Sequence, residues 1–459
     1  MYTPHTESDI ASMLAVTGAA SLEELVRVPD GVALKTPLDV PAGLPEIELA
    51  RKMNGYASRN GAVAFRSFLG AGAYRHYVPP VVMSLAMRGE FLTAYTPYQA
   101  EVSQGYLQAI YEWQTYICLL TGLDIANASV YDGATALAEA AIMAVNATGR
   151  RAILVSSAIH PNYRAVLRTY AAGMDLDVEE LPLAADGTTD LRTLPARLAD
   201  GRFAAVALQS PNFFGAIDVP AESERALFAS SGTVPIAVVA EALSLAALEA
   251  PGTWAQIAVG EAQSFGNPLA YGGPYVGFVA AKGEHVRRIP GRLVGRTLDN
   301  RGNTAYVLTL QAREQHIRRE KATSNICTNQ AHCALVATIY LAALGATGLE
   351  RCATLNLERT HELAARVSAI PGFERAFAAP VFNEFVLRVP KPMSAASVLR
   401  ELQMRNILGG VDLARWYPDL SDCILMNATE LTTDADIGAL ASALGEIASA
   451  RVPAGAARG

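Results

Sequence analysis

Five segments of strand length, at 152–155, 174–178, 204–208, 236–239 and 256–259, recur between stretches with helical spacing. A strand that passes through a helix into a further strand of the same sheet enters it in parallel, so this recurrence predicts βαβ units around a mostly parallel sheet. Most of these segments are nearly continuous in apolar residues, which requires helices over both faces of the sheet. Segment 174–178 alternates instead, through Asp175 and Asp177, and is expected at an edge. With an apolar run at 275–281 and a short one near 129–131, the expectation is a sheet of about seven strands. Ligands of such open sheets sit beyond the carboxyl ends of the strands, so function is expected in the loops that follow them.

Composition bounds the rest. The chain has 459 residues, too many for one compact core at ~150 residues per domain, so a large domain and at least one smaller one are expected. It is 51% hydrophobic and 18% charged, which excludes a disordered protein and fits extensive interior or subunit contact. A net charge of -7, with basic residues dispersed apart from Arg287-Arg288 and Arg318-Arg319, gives no footprint for nucleic acid. The longest apolar run, 334–346, is shorter than the ~18 residues a bilayer span needs, and 1–30 lacks a basic end followed by an apolar segment. No membrane association and a cytoplasmic location are therefore expected. Five irregularly spaced cysteines fit reduced thiols. Cys327, His332 and Cys333 match no standard zinc spacing, and 331–343 reads as helix, so no metal is expected.

Along the chain, 1–64 reads as an N-terminal helical arm, with candidate helices at 7–16 after Thr6 and 22–26 after Ser21, then connections through Pro37, Pro41 and Pro45. The large domain is expected over 65–328. It begins with 65–80, a mixture of glycines, aromatics and basic groups that is loop chemistry more than packing chemistry, and a similar patch at 95–99 leads into a long helix over about 100–120, stopped by Gly122. A smaller C-terminal α/β domain is expected over 329–450: helices at 331–343, ended by Gly345, and at 349–369, strands at 384–389 and 423–427 with a helix at 395–405 between them, and a last helix from 435. The tail, 451–459, is expected to be loose.

Several groups stand at strand ends. Asp132, Gly133, Ala134 and Thr135 lie between a short strand and an alanine-rich helix, where exposed N–H groups suit an anion such as a phosphate; an ordinary Asp N-cap with a glycine turn is the plainer alternative. His160 is placed to stack on a planar ring, or to be satisfied locally at a helix start. Asn212 is a candidate ligand contact or turn punctuation. Glu241 follows an apolar strand where cofactor enzymes place an acid against a pyridine nitrogen, or it is an N-cap. The run 256–259 enters a Gly/Pro-rich turn, 260–274, that carries Gln263 and Ser264.

Phe68-Leu69-Gly70-Ala71-Gly72-Ala73-Tyr74, Tyr95-Thr96-Pro97-Tyr98-Gln99, Gln263-Ser264-Phe265-Gly266-Asn267-Pro268 with Tyr271-Gly272-Gly273-Pro274, and Arg318-Arg319-Glu320-Lys321-Ala322-Thr323-Ser324-Asn325-Ile326-Cys327-Thr328 together resemble glycine decarboxylase, the P-protein of the glycine cleavage system. The match covers nearly the whole chain, and the length corresponds to the α subunit (subunit 1) of the two-chain form. The resemblance implies a fold-type I pyridoxal-phosphate architecture and an α2β2 assembly. That assembly condenses glycine with the cofactor, releases carbon dioxide and passes an aminomethyl group to the lipoyl arm of the H-protein. It also implies that the β subunit holds the cofactor covalently on a lysine.

In enzymes of this class the turn at 260–274 carries that lysine, whereas here lysine occurs only at Lys35, Lys52, Lys282, Lys321 and Lys391. Arginine cannot substitute, because its guanidinium stays protonated and forms no ordinary Schiff base. The acid facing the pyridine nitrogen is usually aspartate, and Glu241 is one methylene longer. The reading is a non-catalytic α subunit with a vestigial pocket at Asp132 to Thr135, His160, Asn212, Glu241 and Gln263. His76, Tyr95 and Tyr98 are candidates for loops lining the partner's active site or the H-protein path, against ordinary interface packing. The rivals are a self-sufficient transaminase or desulfurase using a displaced lysine, Lys282 being nearest in sequence, and a pure scaffold.

Overall fold

The computed structural model describes residues 4–26, 28–29, 31–36, 38–326 and 329–450. Arg27, Asp30, Pro37, Cys327, Thr328 and the tail 451–459 lie outside the described residues. The chain divides into two compact units, Met1–Val63 and Ala64–Gly459.

In the first unit, helix Glu7–Thr17 starts on a capping box between Thr6 and Asp9 and stops on Gly18 in the left-handed region. A one-turn helix, Leu22–Leu25, follows Ser21. A third helix, Glu46–Ala57, was not expected, because the prolines before it read as connection. Pro45 sits just ahead of the first turn, where a missing N–H costs nothing, and Glu46 and Glu48 favour the positive end of the helix. None of these three helices buries a residue.

The second unit is built on a seven-stranded sheet: β1 Ile125–Ala126, β2 Ala152–Ser156, β3 Asp177–Leu181, β4 Phe203–Gln209, β5 Val234–Val239, β6 Ile257–Glu261 and β7 Gly277–Ala281. Their order is β1-β7-β6-β5-β4-β2-β3. Pairing is parallel throughout except at β7, which runs against both β6 and β1. Successive residues face opposite layers. Ile236, Val238, Ile257 and Val259 pack under helices Gly133–Thr148 and Pro161–Met174, while Ala237, Val239, Ala258 and Phe278 meet Trp113, Ile117 and Tyr340 on the other side.

Two strand expectations shift. Met174 ends a helix and Asp175 caps it with φ 55, so the strand expected at 174–178 begins only at Asp177, still at the sheet edge. The strand expected near 129–131 lies at Ile125–Ala126, and Val130 makes only a single bridge to Gly277. A hairpin, Leu293–Leu298 with Thr304–Thr309, went unread.

The C-terminal part has an antiparallel four-stranded sheet in the order Glu374–Arg375, Glu384–Arg388, Cys423–Asn427, Val411–Asp412. Helices Ala395–Gln403 and Asp434–Ala450 pack on it around Phe385, Leu402, Met426 and Leu440. The long helical span Ala331–Ser368 is broken at Gly345 (φ 62, ψ -175). Taken whole it is long and apolar enough to cross a membrane, a length that the run 334–346 did not suggest. Half of its most apolar stretch is buried inside the fold.

Gly260 in β6 is one position where no side chain fits: a Cβ there would strike the Val239 carbonyl oxygen and come within 2.7 Å of the Phe278 ring. Gly438, in the last helix, has nothing within 4 Å. Gly260→Ala is expected to destabilise the fold by ~1–3 kcal/mol, whereas Gly438→Ala should stabilise it by ~0.5–1 kcal/mol. Urea midpoints of the two variants moving in the same direction would contradict this packing.

Candidate functional site

The carboxyl ends of β2, β4, β5 and β6 and the start of helix Gly133–Thr148 converge on one cleft. At the helix start, Asp132 takes an extended conformation and its Oδ1 accepts the Thr135 N–H at 2.7 Å. The Gly133 N–H donates to Glu261 Oε2 at 3.0 Å, and the other oxygen of Glu261 accepts the Val276 N–H at 2.9 Å. Two of the first three helical N–H groups are thus taken by carboxylates of the chain itself, where an external anion was one of the two readings. Burial pushes Glu261 up to about 7, against the two N–H donors that favour its charged form. Ala134 is buried, and the Tyr163 hydroxyl lies where any Cβ at Gly133 would sit.

Gln263, in the turn after β6, is buried, and its amide is fully used. Its Oε1 accepts the Tyr74 N–H at 3.0 Å, and its Nε2 donates to the Tyr74 carbonyl at 3.1 Å and the Asn267 carbonyl at 2.7 Å. The side chain therefore pairs with the backbone of segment 68–77 much as a neighbouring strand would. Ser264 beside it is also buried.

That segment threads the cleft. The Tyr74 hydroxyl donates to Glu384 Oε2 at 2.7 Å, and the Ala71 N–H donates to Glu384 Oε1 at 2.6 Å. Burial raises Glu384 to about 7 in spite of both donors. His160 caps helix Pro161–Met174 by accepting the Asn162 N–H at its Nδ1, 3.1 Å, so its proton is on Nε2, which donates to the Ala71 carbonyl at 2.8 Å. Its ring contacts Tyr163 and Phe213 at 5.0 Å, and burial holds its pKa below the usual value. Gly72, with φ +92, lies so close that a Cβ would be 2.8 Å from that ring. The Cδ2–Nε2 edge of His160 is thus held against this chain's own backbone at Ala71 and Gly72.

At the end of β5, Glu241 caps a short turn by accepting the Leu243 N–H at 2.8 Å. Its other oxygen meets His76 Nε2 at 3.1 Å and the Asn383 amide at 3.1 Å. The second ring nitrogen of His76 lies 2.8 Å from Glu430, which also accepts from Asn356 at 3.0 Å and the Tyr77 N–H at 2.6 Å. The side chains of His76, Glu241 and Glu430 are 2%, 2% and 7% exposed. Burial alone would push His76 down, but the charge and hydrogen bond of Glu241, joined by Glu430, outweigh it and carry it up to about 10. Burial likewise opposes the charge on Glu430, and His76 holds that carboxyl below its usual range. A buried imidazolium is thus clamped between two carboxylates.

Not every expected residue joins this cleft as a ligand group. Asn212 works as turn punctuation: its Oδ1 accepts the Phe214 and Ala216 N–H groups at 3.0 and 3.1 Å, and its Nδ2 donates to the Gly187 carbonyl at 2.8 Å. His76 was grouped with Tyr95 and Tyr98, but the structure separates them. Tyr95 and Tyr98 are 73% and 74% exposed on a loop where Arg292 lies 5.9 Å from the Tyr98 ring. Of the sulfur and imidazole group, Cys327 lies outside the described residues, and His332 Nε2 meets the Ala86 carbonyl at 3.2 Å.

All five lysines are exposed. Lys282 follows β7, and its N–H bonds the Gln256 carbonyl at 3.0 Å. Because β7 is antiparallel, this places Lys282 at the amino end of β6, roughly 16 Å of strand away from the Gln263 turn. Tyr74, Glu261, Glu384 and Glu430 were missed as site residues. Each had a faint signal: Glu261 is an acid ending an apolar strand, Glu384 opens one, Glu430 comes three residues after another, and Tyr74 sits among glycines.

A family model described as glycine cleavage system P-protein matches residues 1–444. A probable glycine dehydrogenase (decarboxylating) subunit 1 of Moorella thermoacetica is 52% identical over 445 residues, 96% of this chain and 98% of that one. Its counterpart in Carboxydothermus hydrogenoformans is 48% identical over 447 residues, 97% of this chain and 99% of that one. A crystal structure of glycine decarboxylase (P-protein) of the glycine cleavage system, in inhibitor-bound form, superposes with TM-score 0.88 at 45% identity, covering 97% of this chain and 100% of that one. A sphingosine-1-phosphate lyase from Burkholderia pseudomallei shares the fold at TM-score 0.66 and 14% identity, covering 92% of this chain and 94% of that one.

Titration of His76 gives the clamp a measurable signature. Its folded value of about 10 lies above 6.5, so the stability it supplies is complete below about pH 6.5 and is lost as pH rises through about 10. Wild-type stability should fall across that window by up to about 1.4 kcal/mol per pH unit. His76→Gln should be less stable at neutrality and show a flatter decline between about pH 7 and pH 9. Parallel declines in the urea midpoints of the two proteins would refute the clamp.

Proposed function

The chain belongs to the glycine cleavage system P-protein family, and from that premise we propose that it is the α subunit of a glycine dehydrogenase (decarboxylating) whose cofactor chemistry is carried by a partner subunit. The observation that carries this reading is the content of the strand-end cleft. Pyridoxal phosphate requires an amine for covalent attachment, an acid for its ring nitrogen and an anion site for its phosphate. Here the turn presents the amide of Gln263, Glu241 is engaged by His76, the ring of His160 lies against Gly72, and the N–H of Gly133 is engaged by Glu261. The residues present do not fit the cofactor.

Within the assembly, the partner β subunit supplies the lysine and the covalently held pyridoxal phosphate, and the complex is an α2β2 heterotetramer acting on glycine and on a lipoylated H-protein. This support comes from the resemblance at 68–74, 95–99 and 263–274, and from relatives named as one subunit of an enzyme. The helices of the N-terminal unit bury no residue and expose Leu22, Ile47, Leu49 and Met53, an apolar surface suited to a partner chain. Tyr95 and Tyr98 are proposed to line the partner's active site or the H-protein path, since exposed aromatics on a loop are suited to contact. The cytoplasm is the proposed location, in keeping with five irregularly spaced cysteines that fit reduced thiols.

A self-sufficient enzyme using Lys282 is disfavoured by the position of that lysine at the opposite end of β6 from the turn, since covalent catalysis needs a fixed approach. Two experiments test the proposal. Glycine decarboxylation should appear only when the chain is mixed with its partner, and Gln263→Lys alone should produce neither turnover nor a borohydride-fixable Schiff-base absorbance in the isolated chain. Turnover by that variant without partner would overturn the reading. In the assembled enzyme, Tyr95→Ala with Tyr98→Ala should cut turnover roughly tenfold or more while size-exclusion chromatography shows intact assembly. Unchanged turnover would leave the chain as a scaffold.

A further inference from the structure

Charge is distributed unevenly along this acidic chain. Residues 287–321 hold nine arginines and lysines against three carboxylates, Asp299, Glu314 and Glu320, a local excess of +6 in a chain of net charge -7. Part of that excess is drawn around a cavity of about 290 Å³ lined by Arg287, Arg313, Arg318, Lys321, Thr323 and Leu310. Among the described residues, no carboxylate lines it. Like charges gathered in a concave, partly apolar space repel one another more strongly than on an open surface, and a bound anion reverses the sign of that interaction.

Arg313 gives the cavity its geometry. Its Nη1 donates to the Ile289 carbonyl, but Nε and Nη2 are buried and have no acceptor among the described residues. These two nitrogens form the edge of the guanidinium fork that presents parallel N–H groups, the arrangement that grips two oxygens of a carboxylate or phosphate at once. Burial disfavours the charge of Arg313, with Glu314 offsetting this in part, yet a guanidinium stays charged, so the group calls for a counter-charge in its surroundings. Glu314 does not complete it: its own Oε1 is buried without a donor among the described residues, and it lines a neighbouring cavity with Tyr98, Arg292 and His316. The segment is bracketed by two residues in the left-handed region, Leu310 (φ 53) and Arg319 (φ 54), conformations that persist only where the surroundings impose them.

We propose that this cavity is an oxyanion site for a phosphate-class dianion, with Arg287, Arg313, Arg318 and Lys321 supplying the charge that holds it. A space of about 290 Å³ accommodates a tetrahedral oxyanion together with several waters of about 30 Å³ each. The Thr323 hydroxyl adds a neutral donor. The site stands apart from the strand-end cleft and does not depend on the reading of that cleft.

Calorimetric titration of the purified full chain with inorganic phosphate and with phenyl phosphate, at ionic strength held constant with sodium chloride, tests the proposal. One saturable site is expected. Saturation by both ligands identifies a site for a phosphomonoester end, and saturation by inorganic phosphate alone identifies a site for the free ion. Arg318→Gln with Lys321→Gln, both exposed, should weaken binding roughly tenfold or more without touching the fold, and Arg313→Gln should weaken it further. Arg296→Gln, on the neighbouring hairpin and outside the cavity, should leave it unchanged. Heat that does not saturate with either ligand, or equal weakening by Arg296→Gln, would overturn the assignment, and the exposed pair keeps the test decisive if Arg313→Gln does not fold.

Discussion

The site depends on a buried imidazolium. His76 joins Glu241, at the end of a central strand of the large sheet, to Glu430, just beyond a strand of the small one. Three charges are withdrawn from water together, which is tolerable only because each remaining oxygen has a donor: Leu243, Asn383, Asn356 and Tyr77 complete the two carboxylates. Removing His76 leaves two buried carboxylates without their shared cation. The clamp therefore fixes the path of segment 68–77, and that path sets what the Gln263 turn and His160 can touch.

Around this clamp the cleft is closed by main-chain contacts as much as by side chains. Gln263 pairs with both polar groups of the Tyr74 backbone, His160 with the Ala71 carbonyl, and Glu384 with the Ala71 N–H. Gly70 and Gly72 let the segment pass where a Cβ would strike Glu384, Asn427 or His160. The result is an interior organised like a bound ligand, in which the ligand is covalently part of the receptor. A Schiff-base lysine at position 263 would have to displace those amide bonds before it reached anything else.

The sheet was legible because its signal is local. Runs such as 204–208 and 236–239 are apolar throughout, and only a strand covered on both faces reads that way. The edge strand was displaced by three residues because Met174 and Leu176 are apolar for a different reason, as the end of a helix and the residue after its cap. The absence of lysine from the turn could be read from one line of sequence. The partners of Gln263 could not, since Tyr74 is 189 residues away, and neither could the pairing of His76 with Glu430, 354 residues away. Periodicity encodes which face of an element is buried, and carries nothing about which distant loop will fill a cleft. Glu261, Glu384 and Glu430 were passed over because a single acid in or beside an apolar strand reads as a strand boundary until the fold brings its donors to it.

The placement of the amines has a chemical consequence. Five lysines serve among 37 basic residues, and all five are solvent-exposed, with none in the strand-end turn. Arginine, which supplies the rest, does not condense with aldehydes under ordinary conditions. Among the described residues, the inner walls of this fold offer amides, carboxylates, phenols, thiols and an imidazolium, and no lysine amine. Toward a carbonyl compound moving through an assembly, such a surface can orient or exclude the molecule by shape and hydrogen bonding, and it has no lysine with which to capture it in an off-pathway imine.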